Sequence, residues 1–368
     1  MTGRQTSIIH VFPSFAVGGQ QRRLASLIDA LGDAFHHTIL SIDGDFTAYE
    51  MIAGRQADVA ALPLRKSGGL SVRNLKTISE RLNRDSADLL CTYNWGAIEA
   101  AIANKFSPRL PHLHFEDGFG ADETPGRQPL RRSLTRRLAL LGDYVVVPSS
   151  QLYMIARNDW RLGAEKLVRI ANGVDTARFA PAARERSAIV TIGFVGALRR
   201  EKNLARLIHA FARVSAKGIA AKLVIAGEGP EKQALIDLIC ALGVQNGVEL
   251  PGPTGAPEAI YQRIDIFAMS SDTEQAPLSL LEAMACGLPV AATDVGDIKS
   301  MTAHENRPFI VQRGSEERLA EALVALIEDE DLRGILGRAN RERAAAEFDV
   351  GVMTGRYREL FLQVAARK

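Results

Sequence analysis

Residues 270–297 read SSDTEQAPLSLLEAMACGLPVAATDVGD, and the rest of the chain is organised around this stretch. A helix is predicted over LSLLEAMAC. Pro277 is expected as its first residue, because the N–H that proline lacks would be unbonded at a helix start. Gly287 and Pro289 are expected to end the helix, since glycine favours the turn that follows a helix and proline cannot continue one. The stretch therefore predicts an αβ unit.

Two carboxylates in this stretch, Glu274 and Glu282, are separated by eight positions. Glu274 is predicted in the loop before the helix, beside the free backbone N–H groups of its first turn, and Glu282 in the second turn. Such an arrangement suits a ligand whose anionic part is held by the N–H groups and whose hydroxyls bond to carboxylates. The alternative is a buried αβ unit that carries two solvated glutamates.

The stretch resembles the E-x7-E region of the retaining glycosyltransferases grouped as family 4 (group 1), which are of the GT-B type. The resemblance implies an α/β fold with two Rossmann-like domains that face each other across a cleft. An acceptor-binding domain is expected over residues 1–180 and a donor-binding domain over 188–349, with helix 350–368 packing back on the first domain. Glu282 would bond to the ribose of a nucleotide-sugar and Glu274 to the transferred sugar. The donor-binding set also includes Ala276, Pro277 and Leu278.

Composition supports a two-domain globular protein. A chain of 368 residues is too long for one ordinary core. Its 45 basic residues nearly balance its 43 acidic residues, so the net charge gives no reason to expect nucleic-acid binding. Cys91, Cys240 and Cys286 lack metal-binding spacing, and we expect them to be reduced core residues of a cytoplasmic protein. No apolar run is long enough for a signal peptide or a membrane span, so any membrane contact is expected to be peripheral.

Strand–helix alternation through the first half predicts βαβ units and a parallel sheet. The apolar run SIIHVFPS (7–14) predicts a buried strand, and Gly18 and Gly19 follow it before a helix that begins near Gln20. Ligands bind at the carboxyl ends of such strands, and glycines there allow close approach. A GG pair alone equally fits a tight turn. The family resemblance favours a glycine loop that faces the sugar-phosphate.

The segment PHLHFEDGFGADETPGRQ (111–128) predicts a strand followed by a long loop. His114, Glu116 and Asp117 lie near the carboxyl end of this strand, where they are candidates for contact with an acceptor or for orienting its hydroxyl. His114 resembles a family histidine near the transferred sugar and is our candidate catalytic residue. Glu116 and Asp117 are rival candidates and the predicted acceptor-binding residues. The alternative for His114 is a strand histidine capped by the main chain.

The helix PLRRSLTRRLALLGDY (129–144) carries four arginines. These arginines are Arg131, Arg132, Arg136 and Arg137, and Arg127 lies just before the helix. All five are predicted to share one face. That face suits an anionic acceptor, such as a lipid phosphate, or a membrane surface. The alternative is an ordinary solvated face balanced by nearby acids.

A polar connector, PAARERSA (181–188), is predicted to separate the domains, with a hinge for domain closure near residues 176–188. The second domain opens with a strand that ends at Gly196, and a loop with Arg199 and Lys202 precedes a helix that starts near Asn203. A basic turn between a strand and a helix suits a diphosphate, although a solvated basic loop is the alternative.

Relatives in the family carry an Arg and a Lys in this turn that contact the donor diphosphate. Lys202 matches the Lys, but Ala197 stands where the Arg is usual, and Arg199 is the expected substitute. The strand NGVELPGP (246–253) ends at Gly252, where relatives hold the nucleobase through backbone contacts. Asp297 replaces a family glycine, whose missing side chain would allow close backbone approach there. The GxG turn at 227–229 matches a largely structural feature of the family.

The resemblance implies transfer of a hexosyl unit from a nucleotide-sugar, UDP- or GDP-linked, to the hydroxyl of a sugar or lipid-linked acceptor, with retention of configuration. We expect a role in cell-surface polysaccharide or glycolipid synthesis. Lys202, a neighbouring Arg and the helix start near Pro277 would stabilise the leaving diphosphate without a metal or other cofactor. Three alternatives are an epimerase on the same scaffold, a sugar-binding protein, which would need an export signal, and a dinucleotide oxidoreductase, which would need GxGxxG.

Overall fold

The computed structural model describes residues 4–64, 70–118, 129–182 and 189–367. The chain forms two compact units. One comprises Met1–Asn172 together with Met353–Lys368, and the other comprises Gly173–Val352. Each unit has a parallel sheet with helices between its strands. The predicted α/β fold with two Rossmann-like domains is confirmed.

The first unit contains a seven-stranded sheet in the order β3-β2-β1-β4-β5-β6-β7. Every residue of the strands β4, β5 and β6 is buried, as expected for a parallel sheet covered on both faces. The strands are β1 Thr6–Phe12, β2 Phe35–Ser41, β3 Ala57–Ala61, β4 Leu89–Tyr93, β5 His112–Phe115, β6 Tyr144–Val147 and β7 Leu167–Arg169. The helices are α1 Gly19–Leu31, α2 Val72–Asp85, α3 Ile98–Phe106, α4 Leu130–Ala139 and α5 Ser150–Asn158.

The second unit contains a six-stranded sheet in the order β10-β9-β8-β11-β12-β13. Its core lies between this sheet and helices that include α6 and α11, whose apolar faces pack on β8 and β9. The strands are β8 Val190–Val195, β9 Ala221–Ala226, β10 Val248–Gly252, β11 Ile266–Met269, β12 Val290–Thr293 and β13 Ile310–Val311. The helices are α6 Leu204–Ala216, α7 Lys232–Ala241, α8 Pro257–Tyr261, α9 Leu278–Ala285, α10 Ile298–Met301, α11 Glu316–Glu328 and α12 Glu330–Glu347.

The C-terminal helix α13 (Val350–Ala365) contributes aromatic side chains to the core of the first unit. The ring of Phe361 lies 6.3 Å from that of Phe35 and 6.5 Å from that of Phe115. Tyr357 also packs against Phe115, with 5.9 Å between ring centroids. Burial of these rings explains why the end of the chain groups with its beginning.

The division between the units falls earlier than the connector that composition predicts. Val174 exchanges backbone hydrogen bonds with the end of α12: its N–H donates to the Phe348 carbonyl at 2.8 Å, and its carbonyl accepts from Val350 at 2.9 Å. Arg341 donates to the carbonyls of Thr176 and Phe179, each at 3.0 Å. The described part of the predicted hinge therefore belongs to the second unit, and residues 183–188 lie outside the described residues.

Two local predictions are wrong. Pro277 is not helical: it has extended backbone, with ψ of 127°, and caps α9, which begins at Leu278. Cys240 is exposed on α7, whereas Cys91 and Cys286 are buried as predicted. The remaining α9 prediction is accurate, because Gly287 follows the helix with φ of 73°, a conformation that glycine adopts without strain.

Candidate functional site

The candidate donor site of the second unit lies where the strand order of its sheet reverses. β8 and β11 are neighbours at the centre of the sheet, with β9 and β10 on one side and β12 and β13 on the other. In open α/β sheets ligands bind at the carboxyl ends of strands at this reversal. Lys202 lies in the loop after β8, and Glu274 lies in the loop after β11. The topology therefore brings together two residues that are 72 positions apart.

Lys202 and Glu274 form an ion pair, with 2.5 Å between the Lys202 Nζ and the Glu274 Oε1. The Lys202 side chain is 20% exposed and the Glu274 side chain 8%, so the pair is sheltered but open on the lysine side. The Ser271 hydroxyl donates a second hydrogen bond to the same carboxylate oxygen at 2.7 Å. Glu274 would therefore keep a hydrogen-bond partner if Lys202 paired with a different anion.

Glu282 is positioned by a buried tyrosine. Tyr261, at the end of α8, places its hydroxyl 2.7 Å from the Glu282 Oε2 and 3.2 Å from the Ser279 carbonyl. Burial and the nearby Glu282 carboxylate raise the pKa of Tyr261 well above its usual value, so the hydroxyl remains a hydrogen-bond donor. Glu282 lies in the second turn of α9, as predicted.

Glycines shape the backbone at the same edge of the sheet. A Cβ on Gly227 would lie 1.8 Å from the Gly196 carbonyl oxygen, so the predicted structural role of the 227–229 turn is explained by backbone packing. The Gly227 N–H donates to the Gly252 carbonyl at 2.9 Å, which links the turns that follow β9 and β10. Gly196 and Gly252, both in the predicted donor set, thus lie on either side of Gly227.

The close backbone approach that the family glycine would allow at position 297 occurs instead at the preceding residue, Gly296. A Cβ on Gly296 would lie 2.3 Å from the Glu274 carbonyl oxygen, and the φ of Gly296 is 57°. Asp297 is buried, and its N–H donates to the Gln275 carbonyl at 3.0 Å. The family glycine that Asp297 replaces is therefore not needed for this contact.

The remaining predicted donor residues differ in exposure. Ala276 and Pro277 are buried in the loop that leads into α9, and Leu278 is partly buried at its first position. The Arg199 side chain is 65% exposed, and its guanidinium lies 4.0 Å from the Glu201 carboxylate. Arg199 is thus a solvent-facing cation near Lys202 in sequence, with only a weak ion pair.

In the first unit the sheet order reverses at β1 and β4. Gly18 caps α1 and Gly19 begins it, at the end of the loop that follows β1. Asp117 follows β5 and is partly buried. Its carboxylate accepts from Gln20 and forms a bidentate ion pair with Arg23, whose Nη2 lies 2.7 Å from Oδ2. Asp117 is therefore the one of the three β5 candidates that reaches the carboxyl-edge surface.

Arg23 is buried, and its ion pair sets its charge. Burial opposes the guanidinium charge, but Asp117 outweighs it and raises the pKa of Arg23 above its usual value. Arg23 also donates to the Asn172 Oδ1 at 3.2 Å, and the Asn94 Oδ1 accepts from the Asp117 N–H at 2.9 Å. This polar cluster joins the ends of several strands.

His114 and Glu116 lie beneath this surface, each with zero exposure. The His114 Nδ1 bonds to the Thr92 hydroxyl at 2.8 Å, and its Nε2 lies 3.6 Å from the Glu116 Oε2. Burial lowers the pKa of His114, although Glu116 opposes that shift. Glu116 in turn accepts from the Arg136 Nε at 2.9 Å. His114 therefore sits one layer below the groups that a bound molecule would reach.

The prediction that the α4 arginines share one exposed face is wrong. Arg136 has zero exposure and packs between Trp95 and Trp160, with 5.1 and 4.6 Å from its Cζ to the ring centroids. Its pairing with buried Glu116 explains why α4 turns this arginine inward. Arg127 lies outside the described residues. Leucines of α4 are exposed as well, with exposed fractions of 87% for Leu130, 55% for Leu134 and 63% for Leu138, and Leu141 just beyond the helix is 68% exposed.

Four functional candidates escaped the sequence reasoning: Gln20, Arg23, Tyr261 and Ser271. Ser271 stands beside the E-x7-E stretch, and Gln20 and Arg23 follow the GG pair, so proximity to a motif was an available signal. Tyr261 had none, because an aromatic residue in an apolar helical pattern predicts only core packing.

No three His, Cys, Asp or Glu side chains of the described residues cluster as metal ligands. None of the described helices combines the length and the apolar character needed to cross a membrane.

Two family models match the chain in succession. Residues 17–178 match the model described as Glycosyltransferase Family 4, and residues 175–343 match the model described as Glycosyl transferases group 1. The two matches meet near the division between the structural units and together cover every strand of the two sheets except β1.

Curated relatives match over part of their length. The chain is 28% identical to the N-acetyl-alpha-D-glucosaminyl L-malate synthase of Bacillus anthracis over 45% of this chain and 43% of that protein. It is 30% identical to a GDP-mannose-dependent alpha-(1-6)-phosphatidylinositol monomannoside mannosyltransferase of Mycobacterium tuberculosis over 60% of this chain and 62% of the relative. The alignments thus span roughly two fifths to three fifths of these relatives.

Solved structures match nearly the whole chain. A glycosyltransferase from Rickettsia africae has a TM-score of 0.84 at 18% identity and covers 99% of this chain and 100% of its own. Anabaena Alr3699/HepE in complex with UDP has a TM-score of 0.82 at 18% identity, covering 97% and 100% respectively. At this identity the likeness concerns the fold.

Proposed function

The chain belongs to the group 1 glycosyltransferases of the GT-B type, and from this membership we propose that it is an enzyme that transfers a sugar from a nucleotide-sugar to an acceptor hydroxyl. The observation that carries the proposal is the Lys202–Glu274 pair at the strand reversal of the second unit, 2.5 Å apart. A cation for phosphate and a carboxylate for sugar hydroxyls, side by side, suit a sugar–phosphate bond between them.

A hexose linked to UDP or GDP is the proposed donor. Anabaena Alr3699/HepE has the same fold and was solved with UDP-glucose, and a mycobacterial relative is described as GDP-mannose-dependent. Glu282, held by Tyr261, would accept hydrogen bonds from the ribose hydroxyls. Gly196, Gly252 and the backbone of residues 276–278 would lie against the nucleotide.

The leaving diphosphate gains negative charge as the sugar–phosphate bond breaks. Lys202 is the proposed group that stabilises this charge, with the N–H groups at the start of α9 and Arg199 assisting, so that no metal is required. The acceptor oxygen forms a bond to the anomeric carbon, and its proton passes to the departing phosphate oxygen on the same face. Glu274 would stabilise positive charge on the ring and is not assigned as a nucleophile. The sugar would be transferred with retention of configuration.

Asp117 is the proposed acceptor-contacting group of the first unit. Arg23 and Gln20 hold its carboxylate at the sheet edge, next to the Gly18–Gly19 turn. His114 and Glu116 would support this edge from below, because both are buried. The proposed acceptors are sugars or lipid-linked sugars of cell-surface polysaccharide or glycolipid synthesis.

Peripheral contact with the cytoplasmic face of a membrane is a further part of the proposal. It rests on the outer face of α4, where Leu134 and Leu138 are more than half exposed beside the exposed Arg137. Apolar side chains flanked by cations bind anionic bilayers. Leu134→Ser with Leu138→Ser should reduce co-sedimentation with phosphatidylglycerol vesicles, and the control Leu362→Ser, an exposed leucine on α13, should not. Equal binding by all three proteins would refute this contact.

Donor binding tests the central proposal. A thermal-shift screen of nucleotide diphosphates and nucleotide-sugars should find a ligand that raises the melting temperature, because a ligand that binds only the folded form stabilises it. Calorimetry with that ligand should then show weaker binding for Lys202→Ala and for Glu282→Ala, with melting temperatures near wild type. Lys222→Ala, an exposed lysine on β9, is the matched control and should bind normally.

Three outcomes would redirect the proposal. Unchanged donor affinity in both Lys202→Ala and Glu282→Ala would remove their roles. Conversion of the nucleotide-sugar without any acceptor would favour an epimerase on the same scaffold. A product with the anomeric configuration inverted, read from its proton coupling constant by NMR, would refute retention while leaving transfer intact.

A further inference from the structure

A cavity of about 700 Å³ lies at the amino end of the sheet in the first unit. His112 opens β5 and Tyr144 opens β6, while Lys166 immediately precedes β7. Asp117, by contrast, follows the carboxyl end of β5. The strands therefore separate this cavity from the residues assigned above to the acceptor, and a ligand bound in it would not be a reactant held by Asp117.

The charged and aromatic lining of the cavity is predominantly basic. These lining residues are Arg109, His112, Asp143, Tyr144, Lys166 and Arg367. Asp143 is already paired, with the Lys105 Nζ at 2.6 Å and the His112 Nδ1 at 2.9 Å. Burial disfavours its charge, but His112 and Lys105 prevail and lower the pKa of Asp143. The Asp143 carboxylate thus has partners other than the three cations of the lining, which are Arg109, Lys166 and Arg367.

Within the described residues, Arg109, Lys166 and Arg367 are held by contacts other than ion pairs, and Lys166 donates to the Gly142 carbonyl. Lys166 and Arg367 both lie against the Tyr144 ring, at 5.9 and 5.0 Å from its centroid, and Arg109 donates to the Lys105 carbonyl at 3.3 Å. No ion pair of these three cations is found among the described residues. Like charges around one cavity repel each other, and a bound anion would relieve that repulsion.

Two exposed apolar residues lie close in sequence to lining residues of the cavity. Phe106, 71% exposed, stands close in sequence to the lining residue Arg109, and the exposed Leu141 directly precedes the lining residue Gly142. The Lys105 Nζ donates to the Leu141 carbonyl at 2.7 Å, which ties the end of α3 to the end of α4. An anion in this cavity could therefore be a free small molecule or the head of an amphiphile that rests on this rim.

We propose that this cavity is a second ligand site of the protein, specific for a phosphate group and separate from the donor and acceptor edges. Two guanidinium groups offer paired N–H donors that match phosphate oxygens, and the lysine adds a third charge. The His112 ring bonds to the Asp143 carboxylate at 2.9 Å and to the Thr92 hydroxyl at 2.8 Å, so the acid of the lining is held by a partner of its own.

Calorimetry with inorganic pyrophosphate tests the site in the full chain carrying Lys202→Ala, which removes the proposed donor contact. Arg109→Ala with Arg367→Ala, both exposed, should weaken pyrophosphate binding at least about tenfold, a difference of ~1.4 kcal/mol. The matched control, Arg73→Ala with Arg84→Ala, removes two exposed arginines of α2 and should leave binding unchanged. Co-sedimentation of the same variants with phosphatidylglycerol and phosphatidylcholine vesicles forms the second arm.

Binding of pyrophosphate that is lost in Arg109→Ala/Arg367→Ala identifies a soluble phosphate ligand. Binding only to phosphatidylglycerol vesicles, lost in the same variant, identifies a lipid headgroup. If neither probe binds, or if binding is equally strong after the cavity arginines are removed, the site does not exist as proposed. Donor binding by the protein with an intact Lys202 is measured separately, so a negative result here leaves the proposed transfer reaction untouched.

Discussion

Tyr261→Phe removes one oxygen atom and isolates the positioning of Glu282 from its charge. The hydroxyl lies 2.7 Å from the Glu282 Oε2, and the ring is buried, so phenylalanine fills the same space. Because the pKa of Tyr261 is raised well above its usual value, by burial and then by Glu282, the hydroxyl is neutral and donates at any pH suitable for assay. A hydrogen bond to a charged group contributes about 1.5–3 kcal/mol.

Only part of that energy should appear in donor binding, since Glu282 lies on a rigid helix and keeps its backbone position without the hydroxyl. We expect about a tenfold loss of affinity for the nucleotide diphosphate, or ~1.4 kcal/mol, measured by calorimetry. The melting temperature should fall by a few degrees at most, because a single buried hydrogen bond is lost without a cavity.

A double-mutant cycle with Glu282→Ala decides whether the effect passes through the carboxylate. If Tyr261 acts only by orienting Glu282, Tyr261→Phe should cost no further affinity once Glu282 is alanine. The reasoning is refuted if Tyr261→Phe binds the donor as tightly as wild type. It is equally refuted if the loss is the same in both backgrounds, since Tyr261 would then act independently of Glu282.

Three further predictions concern the first unit. Arg136→Ala leaves Glu116 buried without its cation and should lower the free energy of unfolding by about 3–5 kcal/mol in urea titrations, whereas exposed Arg137→Ala should change it by less than about 0.5 kcal/mol. Burial, then His36, lowers the pKa of His37 to about 4. The unfolded chain therefore binds a proton at His37 that the folded chain resists, and the free energy of unfolding falls by ~3 kcal/mol as the pH drops from 6.5 toward 4. His37→Gln should flatten this part of the plot of unfolding free energy against pH, measured by urea titration. His114→Ala should lower the rate of transfer but keep calorimetric donor binding, because buried His114 supports the Asp117 edge from below; wild-type turnover would exclude this supporting role.

The alternation of apolar runs with helical patterns was sufficient to predict the parallel sheet of the first unit, and the family resemblance predicted the second Rossmann-like domain. Each βαβ step needs only a buried strand and a helix with one apolar face, and these are local features of the sequence. The position of α9 followed from Pro277, Gly287 and Pro289, and the family resemblance assigned Lys202 and Glu274 to one donor site without predicting their direct contact. Lys202 and Glu274 are 72 positions apart, and no local feature of the sequence predicts that they meet.

Side-chain burial could not be predicted in the same way. The helical periodicity of α4 assigned Arg136 to an exposed face, because no sequence rule reveals that Glu116, 20 positions earlier, is buried and requires a cation. The same limit applies to His114, which a strand-end position marks as accessible. The division between the units lies between Asn172 and Gly173, earlier than the predicted connector at 181–188. The polar composition of that connector gave no sign that Arg341 anchors residues 176–179.

The cation–carboxylate pairs at the two sheet edges differ in a way that bears on their roles. Arg23 is held by Asp117 through two bonds and by Asn172 through a third, and it lies against the rings of Phe115 and Tyr357, both at 5.8 Å. A guanidinium so enclosed cannot leave its partner without stranding a buried charge. Lys202 carries a compact ammonium on a flexible stem and is more exposed, while Ser271 remains bonded to Glu274. Only the Lys202 pair can therefore exchange its partner for a phosphate, and the Arg23 pair acts as a fixed support for Asp117.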